Sequence, residues 1–131
     1  MEPKLAPVVV PLDSVPVTAR EDSPIAMTLA RTLTHAEHGS NIMVGVSWME
    51  PGEQSTVWST EPDAPGDAHH VGPIHEFFYL VRGHCRIEWN EGELDFRPDD
   101  TLFLAPGWRY QIENVGDEQA FLIYAATPPL G

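Results

Sequence analysis

At 131 residues and 42% hydrophobic content, the chain has material for one compact core and too little for two ordinary domains. Lys and Arg number 7 against 20 Asp and Glu, and the resulting formal charge of −13 repels phosphate backbones and anionic membrane surfaces, so neither nucleic acid nor membrane is an expected partner. A single Cys85 excludes an internal disulfide; the Met-Glu-Pro-Lys start lacks the order of a secretory signal, no apolar run approaches a membrane span, and the expected location is the cytoplasm.

In chain order, the predicted elements are short strands punctuated by Pro and Gly. Residues 7–17 alternate weakly and carry Pro11 and Pro16, which suits an edge strand or an arm laid across a neighbour, and 1–24 are read as that N-terminal arm. Over 24–34, Ile25, Met27 and Leu29 alternate with Thr28 and Thr32, and "HAEHGS" at 35–40 reads as a turn. Ile42, Val44, Val46 and Trp48 then alternate with Met43, Gly45, Ser47 and Met49, the pattern of a strand covered on both faces. A short strand at 55–60 precedes "EPDAPGDAHHVGP", 61–73, a loop by its Pro, Gly and Asp content. Strands follow at 75–82, 85–89, 93–96, 101–104, 108–113 and 119–125, and no helical stripe interrupts them. Turns at roughly 8 to 12 residue spacing predict an all-β, antiparallel sandwich or barrel.

Glu76, six further residues and Gly83 ("EFFYLVRG") have the spacing that closes one short signature, and "DDTLFLAPGWRYQIEN", 99–114, carries a second with Asp100, Pro106, Gly107 and Asn114 in place. With "EPG" at 50–52 opening the first, the chain resembles the cupin superfamily over about 42–125. The resemblance implies a single jelly-roll β-barrel domain over 1–131. It also implies a divalent metal (Fe, Mn, Ni or Zn) in the barrel mouth, held by two His and a Glu of the first signature and a His of the second. Here Trp58 and Thr60 stand where the His pair belongs and Tyr110 replaces the second-signature His, so only Glu76 keeps its place.

The stretch between Thr60 and Glu76 is longer than the resemblance implies, and it carries His69, His70 and His75. Imidazole with a carboxylate suits divalent transition metals, so these three and Glu76 are the candidate ligands. Two registers are open. With Glu76 directed inward, His75 points out and His69 or His70 reaches back; with the strand shifted by one residue, His75 takes the interior. The first keeps Gly83 at its expected distance and is preferred.

Glu76 and Tyr110 are the candidate catalytic pair, Tyr110 serving either as an acid or base or as a hydrogen-bond partner that closes a pocket without metal. Trp58, Thr60, Phe78 and Trp108, with Ile112, are the expected substrate pocket. A plainer reading pairs Glu76 with Arg82 or Arg109; His35, His38 and His84 fall in turn-like surface positions, and Cys85 reads as a small buried hydrophobe. The expected function is a small-molecule enzyme with one divalent metal, of dioxygenase, lyase, decarboxylase or isomerase type; the alternative is a metal-free binding or regulatory module. A homodimer is expected, because the arm resembles a segment exchanged between cupin subunits.

Overall fold

The period-two patterns become strands in two sheets, antiparallel except at one short edge pair, seen in a computed structural model that describes residues 5–19, 28–61, 69–70 and 72–129, with 18–19 and 69–70 described by backbone alone. The larger sheet is built from β1 (Thr18–Ala19), β2 (Thr28–Leu33), β3 (Met43–Met49), β6 (His75–Arg82), β9 (Thr101–Leu104) and β11 (Ala120–Thr127). The smaller uses β4 (Trp58–Ser59), β5 (His69–His70), β7 (Cys85–Trp89), β8 (Gly92–Phe96) and β10 (Arg109–Asn114). Strand orders are β1-β2-β3-β11-β6-β9 and β5-β4-β10-β7-β8, an all-β jelly roll in which sequence-distant strands become neighbours.

Two predicted loops contain structure. "HAEH" forms a single helical turn, α1 (His35–His38), because Thr34 accepts a hydrogen bond from the Glu37 amide through its hydroxyl and Gly39 closes the end at φ 70°. The predicted 61–73 loop includes β5, whose two residues pair in parallel with β4; 62–68 and 71 lie outside the described residues, as do 20–27, which take in the end of the predicted arm and the first four residues of the predicted 24–34 strand. Among its described residues, 5–19, the arm is irregular apart from a 3-10 turn at Leu12–Ser14 and the β1 pairing. No helix among the described residues is long and apolar enough to cross a membrane.

Between the sheets, Met43, Met49, Leu80 and Leu122 from one side meet Ile87, Cys85, Ile112 and Phe96 from the other. Each buried aliphatic side chain contributes about 1.5–3 kcal/mol. Burial pushes the Cys85 thiol up to about 12, so it is inert at neutral pH. The outer face of the larger sheet keeps Ile42, Phe77 and Phe103 partly exposed. Gly83 turns the chain from β6 into β7 at φ 105°, where a Cβ would also come within 2.8 Å of Ala120.

Candidate functional site

Alternation along β6 buries Glu76, Phe78 and Leu80 and turns His75 and Phe77 outward. On β10 the same rule buries Tyr110, Ile112 and Asn114. The two sheets therefore bring Glu76 and Tyr110 face to face, and the Tyr110 hydroxyl donates to Glu76 Oε1. Glu76 is 5% exposed and Tyr110 2%. Desolvation raises the carboxyl from an ordinary 4.5 to about 7, an effect that the Tyr110 bond partly opposes. Burial, and then the nearby Glu76 charge, push the Tyr110 hydroxyl well above its usual range, so it stays a donor.

Around this pair lies a cavity of about 20 Å³, room for roughly one water. Met43, Trp58, Phe78, Ile112 and Tyr124 contribute to its lining. Phe78 meets Tyr110 edge-on at 6.3 Å and Tyr124 at 6.0 Å between ring centroids. Ser55 is committed to the scaffold, accepting from the Ile112 amide and donating to the Thr56 carbonyl.

Two members of this site escape the sequence patterns. Arg31, Gly45, Tyr124 and Phe78 form one row across four strands, set by the pairings of β2, β3, β11 and β6. A Cβ at Gly45 would overlap the Tyr124 ring and hydroxyl, so the glycine is what lets that phenol lie over β3 towards Arg31, with which it hydrogen-bonds. Burial raises the Tyr124 hydroxyl, and the guanidinium partly opposes this. The inward parity of Tyr124 with Leu122 is a signal that could have found it, whereas Arg31 has no local signal.

Several candidates lie elsewhere. His75 is exposed and its ring stacks on Phe103 at 5.9 Å, so the register with His75 inside does not occur. Thr60, placed in the pocket by its position in the pattern, is instead a clip: its hydroxyl accepts from the Gly107 and Trp108 amides, holding the turn before β10. Trp108 borders a separate groove with Trp89, Leu94 and Leu102. Neither suggested arginine reaches Glu76: Arg82 bonds Gln119 and stacks on Phe121, and Arg109 lies 3.4 Å from Glu61. The backbone places His69 opposite Trp58 and His70 opposite Ser59.

Among the described residues, the groups that face the cavity are one carboxylate already bonded by a phenol, two phenols, the committed Ser55 hydroxyl, the Met43 thioether and a guanidinium. Among the described residues no three His, Cys, Asp or Glu side chains converge as a metal site. This donor set does not fit a divalent cation, which requires several anionic or neutral lone-pair ligands and is opposed by the neighbouring Arg31 charge.

A cupin domain model matches residues 49–125, more than half of the chain. The chain belongs to the cupin family. Among curated relatives, this cupin is 23% identical over 125 residues to the polyketide synthase protein CurC of Streptomyces cyaneus, a match covering 95% of this chain and 72% of that one. It is 31% identical over 68 residues to the tetracenomycin polyketide synthase protein TcmJ of Streptomyces glaucescens, covering 50% of this chain and 46% of TcmJ. Its fold resembles the crystal structure of a "predicted oxalate decarboxylase" from Thermotoga maritima with a TM-score of 0.74 at 15% identity, covering 92% of this chain and 99% of the other.

Proposed function

We propose that this cupin is a small-molecule enzyme that moves protons on an enolisable carbonyl compound of the polyketide type, with Glu76 as general base and then general acid. The observation that carries the reading is the buried carboxylate, raised to about 7, that faces an apolar cavity in the grip of a phenol. A base with that affinity is balanced at neutral pH between taking and returning a proton, where general acid–base catalysis is most effective. Ionised Glu76 removes a proton from carbon next to the carbonyl, leaving an enolate; the protonated carboxyl then delivers it to another carbon or oxygen of the same molecule. Tyr110, which remains protonated, holds the carboxylate oxygen and sets its direction. The names of the two Streptomyces relatives support the substrate class.

Deuterium incorporation tests this reading. Aromatic polyketide ketones incubated with the protein in heavy water are expected to gain mass at the carbon beside the carbonyl, and Glu76→Gln is expected to stop it. Exchange that persists in Glu76→Gln rejects the assignment.

A second reading keeps the divalent metal, held by Glu76 with His69 or His70, which would add a donor beyond those that line the cavity. Its support is the backbone pairing that brings residue 69 beside Trp58, itself paired with Tyr110. Untagged protein that takes up manganese, iron, nickel or zinc, and loses that uptake in the His69→Ala/His70→Ala double variant, favours it.

A further inference from the structure

The cavity beside Glu76 is continuous in its walls with a larger one. Leu29, Arg31 and Trp58 border both. The outer space measures about 680 Å³ and lies between the N-terminal arm, at Val10, Val15 and Pro16, and α1, at Glu37 and His38. The sizes divide the work. As a half-open cleft, about 680 Å³ falls within the range that accommodates a ligand of several rings, whereas about 20 Å³ admits a single group the size of a water.

The charge at the junction narrows the ligand further. Among the described residues lining the two cavities, Arg31 is the one Lys or Arg. Its guanidinium presents a planar fork of five donors, which can hold the Tyr124 hydroxyl and a planar anion together. The row that supports it is closely packed, with Tyr124 lying over Gly45 and against Phe78. In a chain of charge −13, a cation at the throat of a cavity is the feature that makes an anion welcome there.

We propose that the two cavities form one divided site for an aromatic organic anion. The vestibule takes the ring body, Arg31 pairs with its carboxylate, phenolate or enolate, and the inner cavity receives the edge that carries the exchangeable C–H beside the carbonyl. Only this last part rests on the acid–base reading of Glu76.

A matched pair of probes tests the site on the full chain. 8-Anilinonaphthalene-1-sulfonate carries a negative group that N-phenyl-1-naphthylamine lacks, on the same rings. Fluorescence titration is expected to show that Arg31→Gln weakens the sulfonate roughly tenfold and the neutral probe by less than about twofold, since a charge-assisted bond is lost with one alone. Val15→Trp, which fills the vestibule and leaves Arg31 in place, is expected to weaken both, and it serves as the test should Arg31→Gln fail to fold. Glu76→Gln is expected to retain sulfonate binding while losing deuterium exchange, so the divided site and the acid–base reading fail separately. Sulfonate binding unchanged in Arg31→Gln, or equal loss of both probes in that variant, overturns the proposal, as does binding unaffected by Val15→Trp.

Discussion

Tyr110 and Asn114 are the first and last inward residues of β10, and the polar groups at these two places are handled in opposite ways. Asn114 is wholly buried and closed off: its amide donates to the Met49 and Glu118 carbonyls at 2.8 and 2.9 Å, and its oxygen accepts from the Gly116 amide at 2.9 Å. Glu76, against Tyr110, is also buried, yet it faces a cavity and bears a raised proton affinity. A satisfied buried group stabilises the fold, whereas one left facing space holds potential for chemistry at a cost in stability. The contrast assigns Asn114 to the scaffold and Glu76 to the site.

The largest effect that would break this contrast is catalytic. Glu76→Gln keeps the shape and a partner for Tyr110 but removes the transferable proton, and deuterium exchange is expected to fall by about 10²–10⁴, with circular dichroism unchanged. At the other end of β10, Asn114→Ala orphans two carbonyls and an amide; urea denaturation is expected to show a loss of about 4 kcal/mol, and a loss below about 0.5 kcal/mol would remove Asn114 from the scaffold. Stability should also depend on pH through Glu76. Its folded affinity, about 7, exceeds the ordinary 4.5, so the folded state holds the proton more tightly. That contribution is fully present below 4.5 and is lost as pH rises through 7, an effect on the order of 3 kcal/mol. Urea midpoints from pH 4 to 8, wild type minus Glu76→Gln, measure it; a flat difference contradicts the burial argument.

Smaller changes sharpen the comparison. Gly45→Ala drives a methyl into Tyr124 and is expected to cost about 2 kcal/mol, read by thermal unfolding, while also weakening the sulfonate probe through Arg31. Tyr110→Phe should cost about 1 kcal/mol. Because the lost bond lowers the Glu76 affinity, this variant should also shift the midpoint of the pH dependence upward from about 7.

How much was legible in advance differs between strand and site. The period of two in 42–49 became the alternating burial of β3, and Glu76 with Gly83 located β6 and the turn after it. Thr60 and Trp108 show where pattern reasoning fell short, since position in a signature does not say whether a hydroxyl faces the cavity or binds the neighbouring turn. Arg31 shows it more sharply. Nothing near it in the chain marks it, and it matters because β2 lies beside β3, which lies beside β11.

What the amino-acid order determined by itself is therefore local: which segments are strands, where they turn, and which face of each is apolar, because side-chain alternation is a property of one extended backbone. The meeting of Glu76 with Tyr110, 34 residues later, and of Arg31 with Tyr124 across a glycine, was decided by the tertiary structure. Such encounters depend on strand order and register, which are set by how the whole core packs.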